Sequence, residues 1–294
     1  MDLKLASTLI ALSLVCGLVA CDQASVSSGG PANSSDSTGL VNGKSQAESL
    51  CYGVSLDIDD RKMCSGTVIG KRLILGAGHC FRDVRPGSVT HVRRTTLQRS
   101  GRTRTSSVAK VINWTIHPLY LRGNKNFDLA LLYTDRDLSE NFTPVALAPA
   151  DWSLSQDSRF IFVGAGSQSI FPGLHRGEYE VQEGELQGTR ELDRVSFWTW
   201  LADWVIATRA SEGDGINMST PSLELPIICS GDSGGSLIER TADGRSRLIG
   251  VLVSTSVMTI KGQETCIGMG MRALPVSAHL NWIRASAHSF GQPL

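Results

Sequence analysis

Ser233 stands in the string Cys229-Ser230-Gly231-Asp232-Ser233-Gly234-Gly235. Far upstream, His79 stands in Ala77-Gly78-His79-Cys80, and Asp128 falls between the two. A serine hydroxyl is a weak nucleophile at neutral pH unless a base takes its proton. Histidine suits that task because its unperturbed pKa lies near neutrality. A buried carboxylate can hold the imidazole in one tautomer and stabilise the imidazolium that forms. Attack on a carbonyl creates an oxyanion, which fixed N–H donors must meet. These residue types therefore point to acyl transfer. Ser233 is the candidate nucleophile, His79 the general base and then acid, and Asp128 the orienter. The N–H groups of Gly231 and Ser233 are the candidate oxyanion donors, since glycine at 231 can aim its N–H inward where a bulkier residue could not.

Chain order discriminates between designs that share a Gly-x-Ser-x-Gly string. An α/β-hydrolase carries its serine first, then the acid, then the histidine. Asp243, His279 and His288 do follow Ser233. However, Ser236-Leu237-Ile238 reads as a short strand running to an Asp243-Gly244 turn signal, not as part of a strand–turn–helix elbow. His117 precedes Pro118 and reads as a turn residue, while His91, His175, His279 and His288 carry no motif.

The elements that must position these groups read as β. From residue 40 onward, short apolar runs are separated by Gly, Pro, Asn and Asp. Examples are Val54–Leu56, Thr67–Ile69, Arg72–Leu75, Val108–Ile112, Leu129–Tyr133, Phe160–Val163 and Leu248–Val253. Short strands at this spacing indicate an all-β barrel or sandwich. The 294 residues are 41% hydrophobic and include 30 glycines, enough for one large core or two small ones. Acidic and basic residues balance, which gives no support for a nucleic-acid partner.

Strings spread from residue 40 to about 285 together resemble the chymotrypsin/trypsin family of serine endopeptidases. They are Leu40-Val41-Asn42-Gly43, Cys64-Ser65-Gly66-Thr67-Val68-Ile69, Leu73 to Cys80, His117-Pro118-Leu119-Tyr120, Asp128 to Leu132, Cys229 to Gly235, and Asn281-Trp282-Ile283. The resemblance implies two six-stranded antiparallel β-barrels, about 40–148 and 149–294, with the active site in the cleft between them and a C-terminal α-helix. It implies hydrolysis of protein or peptide substrates through an acyl-enzyme, without cofactor or metal. It implies disulfides Cys64–Cys80 and Cys229–Cys266. It also implies that proteolysis frees the Leu40 α-amino group to pair with Asp232. Gly39, not Arg or Lys, precedes Leu40, so a trypsin-type activator is not expected. Gly76 and Gly78 stand where the family usually has Thr and Ala, which could loosen the turn before His79. A trypsin-fold binding or adhesion protein, with these residues retained but not catalytically organised, is the competing expectation.

The resemblance places the primary specificity pocket at Ile227 and Ile228, with Gly268 on one wall and the other wall within Val253-Ser254-Thr255-Ser256, represented by Ser254. An isoleucine floor would leave a substrate cation unpaired, so an apolar side chain is expected instead. Between Val84 and Phe127 every charged residue is Arg or Lys, where the family's acidic calcium loop would fall. Calcium binding is therefore not expected, and the basic run reads as a solvated loop.

Residues 1–20 read as a secretory signal peptide: Lys4, an apolar run from Leu5 to Val15, then small residues. Leu18-Val19-Ala20-Cys21 resembles the bacterial lipobox, which makes Cys21 a lipidation site and the membrane a partner through that anchor. Residues 21–39, rich in Ser, Gly and Asn, read as a tether or propeptide. An exported, envelope-tethered or secreted protein is expected. Export permits disulfides. Cys51 is left over among the seven cysteines, either as a buried thiol or as a partner for an unlipidated Cys21.

Overall fold

A computed structural model describes residues 51–294, apart from 86, 98–102, 154–158, 167–181, 187–205, 210–215, 220–227, 242–244, 256, 261–262 and 267–270. The first six strands close into a barrel: β1 (Gly53–Ile58), β2 (Lys62–Gly70), β3 (Leu73–Gly76), β4 (Thr90–Leu97), β5 (Thr103–Ile116) and β6 (Ala130–Thr134). Around the barrel the order is β1-β2-β3-β6-β5-β4, every pairing antiparallel. Closure leaves no unpaired edge. Most predicted runs of this barrel are buried strands, with Val54, Leu56, Leu73, Ile74, Leu75, Leu131 and Leu132 all buried, whereas Val108–Ile112 in β5 alternates and leaves Ile112 exposed.

The crossing to the second sheet occurs at β7 (Ala146–Leu147), which pairs in parallel with β13 (Ser246–Ser254). That eight-stranded sheet runs β10 (Ile206–Arg209), β11 (Ile216–Ser219), β16 (Met271–Pro275), β13, β12 (Ser236–Arg240), β8 (Arg159–Gly164), β9 (Gln182–Leu186). A separate ribbon joins β14 (Val257–Ile260) to β15 (Gln263–Cys266). The all-β expectation is met, with α1 (Gly78–Phe81), α2 (Pro118–Leu121) and the C-terminal α3 (Val276–Ser289) as the α-helices among the described residues, beside a 3₁₀ turn at Lys125–Phe127. None of them is long and apolar enough to cross a membrane.

α3 ties the two halves together. Val276, Leu280, Ile283 and Ala287 recur at helical spacing and are buried in a core shared with the first barrel and with β8, β12 and β13. At its end Phe290 stacks on Tyr133, whose other face carries the Arg72 guanidinium 4.2 Å from the ring centre. Near its start, His279 packs edge-on to Phe127 and beside His117.

His279 is buried, and its Nε2 has no hydrogen-bond partner among the described residues. Burial, with His117 adding repulsion, pushes its pKa down to about 4. The folded state therefore keeps this ring neutral where the unfolded chain would bind a proton. Its contribution to stability is whole above about pH 6.5 and is lost as pH falls through 4. His279→Phe keeps the packing and removes the titration. Its melting temperature should exceed the wild type's at pH 4.5, by about 2 kcal/mol of stability, and the gap should vanish at pH 8. Thermal melts at the two pH values check this.

Candidate active site

His79 sits on α1, the single helical turn that follows β3. A helix this short cannot satisfy its own last carbonyls. Lys62, at the start of β2, reaches across and donates from Nζ to His79 O at 2.7 Å and to Cys80 O at 3.3 Å. Burial holds the Lys62 pKa below its ordinary value, while Asp83 and Asp128 pull the other way. A disulfide between Cys64 and Cys80 pins the same helix to β2.

Asp128 follows the 3₁₀ turn Lys125–Phe127 and leads into β6. Its two oxygens hold the histidine twice. Oδ1 accepts the His79 backbone N–H at 2.6 Å, and Oδ2 meets Nδ1 at 2.7 Å. A carboxylate can only accept, so Nδ1 carries the hydrogen, and Nε2 of the neutral ring is left as the acceptor. The imidazole is 31% exposed and the carboxylate 11%, so one ring edge faces solvent while its partner is shielded. The glycine at 78 brings tightness instead of slack. A Cβ there would lie 3.0 Å from Asp128 Oδ1 and 3.1 Å from both Ile116 Cγ2 and Leu129 O.

Ser233 occupies the tight turn before β12. Gly231 and Gly234 have φ of +95° and +88°, values that L side chains rarely adopt. A Cβ on Gly234 would lie 2.3 Å from Ser65 O, so the glycine is required by space as well. The turn is bonded within itself, Asp232 N to Cys229 O and Gly235 N to Asp232 O, and to β13 through Gly234 N and Leu252 O. The second disulfide, Cys229–Cys266, braces its entrance. Ser233 O accepts the Ser65 N–H at 2.8 Å and lies 3.8 Å from Cys80 Sγ. The histidine helix and the serine turn therefore meet across the seam.

Asp232 is fully buried. Its oxygens accept the N–H of Gly166 at 2.7 Å and of Cys229 at 2.8 Å. Desolvation outweighs those two bonds and raises its pKa to about 7.

Beside Ser233 opens a cavity of about 260 Å³ lined by Ile228, Cys229, Ser230, Ser254, Thr255, Val257 and Cys266. Ile228 and Ser254 thus lie together, whereas Ile227, Gly268, Leu40 and Cys21 fall outside the described residues. Met271, which carries no sequence signal, is buried behind Ile228 with its sulfur 3.4 Å from the Ile228 N–H. Ser65 and Lys62 were equally invisible as site residues, although Ser65 neighbours the Cys64 string. Cys64, His79 and Cys80 bring ligand-type atoms within 4.8 Å of one another, but both sulfurs are spent in their disulfide. Cys51 is also disulfide-bonded, which removes the buried-thiol reading.

Comparison with known proteins identifies the family. The Trypsin family model matches residues 40–283. The chain is 25% identical over 194 residues to Trypsin from Saccharopolyspora erythraea, covering 66% of this chain and 75% of that protein. It is 33% identical over 115 residues to Hypodermin-A from Hypoderma lineatum, covering 38% of this chain and 43% of the relative, so that match spans less than half of Hypodermin-A. A shorter match, 35% over 72 residues, is to Coagulation factor XI from Bos taurus, covering 24% of this chain and 12% of that protein. With the family model spanning most of its length, a closed barrel joined to a second sheet, and histidine, aspartate and serine in the family's order, the chain belongs to the trypsin family of serine endopeptidases.

Proposed function

We propose that this protein is an exported endopeptidase that cleaves after apolar residues, with Ser233 as nucleophile and an acyl-enzyme intermediate. The observation that carries the reading is the double hold of Asp128 on His79, through the backbone N–H and through Nδ1. It leaves Nε2 free to take the Ser233 proton as the hydroxyl attacks the scissile carbonyl. The same nitrogen then returns the proton to the leaving amine. A water, deprotonated in turn by His79, releases the acid product. The N–H groups of Gly231 and Ser233 receive the negative charge of both tetrahedral intermediates.

The preference for an apolar side chain rests on Ile228 and Val257 in the cavity wall. No carboxylate lines that cavity among the described residues, so an Arg or Lys side chain would enter without a counter-ion. Activation rests on Asp232, a buried carboxylate that meets two neutral N–H groups in the described structure. A freed Leu40 ammonium is the cation that such a group calls for. Residues 1–20 act as the export signal, and the lipobox-like string supports lipidation at Cys21. The bridged state of Cys51 favours a competing use of that sulfur. The described bridges pair Cys64 with Cys80 and Cys229 with Cys266, and for the bridged Cys51 the partner we propose is Cys21. A sulfur in a disulfide cannot carry a thioether lipid, and the bridge would keep the segment before Leu40 attached after cleavage. Intact-mass measurement before and after reduction separates the two.

Digestion of a peptide library by the matured protein tests the whole reading. Cleavage should follow Val, Ala, Leu or Phe and be absent after Arg and Lys. Cleavage after basic residues would overturn the pocket assignment. No cleavage, together with no labelling by a fluorophosphonate probe, would favour the binding-protein alternative.

A further inference from the structure

We propose that Ser65, on the first barrel, is a positioning residue that holds the oxyanion-binding turn of the second sheet in its working shape. The proposal deepens the endopeptidase reading and rests on it. Ser65 is buried, on the face of β2 turned to the seam. Its hydroxyl donates to Gly231 O at 2.9 Å and accepts from Ala165 N at 2.8 Å, and its own N–H donates to Ser233 O at 2.8 Å. The directions are forced. An amide N–H can only donate and a carbonyl can only accept, so the single hydroxyl hydrogen goes to Gly231 O.

The two anchored carbonyls bracket the nucleophile. Each belongs to a rigid peptide plane, 231–232 and 233–234. The planes that carry the Gly231 and Ser233 N–H groups are joined directly to these. Gly231 is the soft joint, because glycine turns freely where other residues do not. Two bonds from one residue remove that freedom. The third bond links the clamp to Asp232. Ala165 is bonded to Ser65, and the next residue, Gly166, donates to the Asp232 carboxylate. The fit is close, since a Cβ on Gly231 would lie 2.8 Å from Gly166 Cα. Ser65 touches no reacting atom, so its effect on chemistry passes through the turn.

One rung further along β2, Thr67 shares a hydrogen bond with Ser236, both fully buried. This bond crosses the same seam but lies off the turn, and so provides the control. The experiment compares full-length protein, matured in the expression host, as wild type, Ser65→Ala, Ser65→Thr and Thr67→Val. Ser65→Ala should lower kcat about 10- to 100-fold with KM changed less than about threefold. Its affinity for a peptide boronic acid, which forms a tetrahedral adduct, should fall by the same factor as kcat. Ser65→Thr keeps the hydroxyl and should recover most of the loss. Thr67→Val should lower the melting temperature as much as Ser65→Ala while keeping kcat. Amide hydrogen exchange at 229–235 should rise in Ser65→Ala and stay unchanged in Thr67→Val.

Unchanged kcat and exchange in Ser65→Ala would overturn the clamp, as would an equal loss of kcat in Thr67→Val or a loss confined to KM. The exchange measurement needs no turnover. An inactive wild type whose turn loosens in Ser65→Ala would retire the endopeptidase reading and keep the clamp. An active wild type indifferent to the substitution would retire the clamp alone.

Discussion

Ser233→Ala should lower kcat/KM by about 10⁴- to 10⁶-fold and leave the melting temperature within a few degrees of wild type. The separation of the two effects follows from the contacts. The bonds that Ser233 and the two glycines after it make in the turn run through their backbone atoms: Ser233 O to Ser65 N, Gly234 N to Leu252 O and Gly235 N to Asp232 O. The alanine keeps all of them and loses only the attacking oxygen. Asp128→Asn should cost about 10⁴-fold by a different route. The aspartate accepts at both oxygens, one bond for the His79 backbone and one for its ring. An amide has one carbonyl oxygen and one NH₂, so one of the two donors would face another donor. If the amide oxygen keeps the backbone bond, the ring must present Nδ1 as an acceptor, and its hydrogen moves to the nitrogen that should take the serine proton. The Ser233→Ala, Asp128→Asn double variant should be no worse than Ser233→Ala alone, because the residues act as a unit. Steady-state kinetics beside thermal melts and fluorophosphonate labelling check both variants.

Asp232→Asn should cost about 10³-fold in kcat/KM although the side chain is fully buried and does not line the cavity beside Ser233. Its two oxygens accept two N–H groups, from Gly166 and Cys229, and an asparagine can serve only one of them. The pH dependence is the sharper test. Burial raises the Asp232 pKa to about 7, above the unfolded value of 3.8. For a chain without the Leu40 ammonium, this contribution to stability is whole below about pH 4. It is lost as pH rises through 7, at a cost of about 4 kcal/mol. A chain matured at Leu40 supplies a cation and reverses the sign, holding the carboxylate ionised. Precursor and matured forms should therefore melt together near pH 4 and separate by pH 8, with the matured form the more stable. The gap should close again where the α-amino group loses its proton. Equal melting at pH 8, with activity intact, would show that Leu40 does not reach Asp232.

Much of the first barrel was legible in the chain. Val54–Leu56, Leu73–Leu75 and Leu129–Tyr133 announce strands because buried strands need apolar runs, and the intervening Gly, Asp and Asn mark where the chain must turn. The pairing of His79 with Asp128 was foreshadowed too, because both candidates stand in short strings and the structure bonds them twice. The second sheet was less so, as its path leaves sequence order, placing β16 between β11 and β13.

The sequence by itself determined the all-β class, the candidate reacting groups and their order along the chain, and the glycine at 231 whose backbone freedom the turn uses. These are local properties, set by side-chain type, period and turn chemistry. Only the tertiary structure decided that Ser65 bonds Gly231, 166 positions away, that Lys62 caps the helix of His79, that Met271 underlies Ile228, and that the motif-free His279 is buried against Phe127. Hydroxyls, ammoniums and thioethers occur throughout the chain. Which of them becomes a clamp, a cap or a floor depends on barrel closure and on the docking of the two halves, and those choose partners by proximity in space.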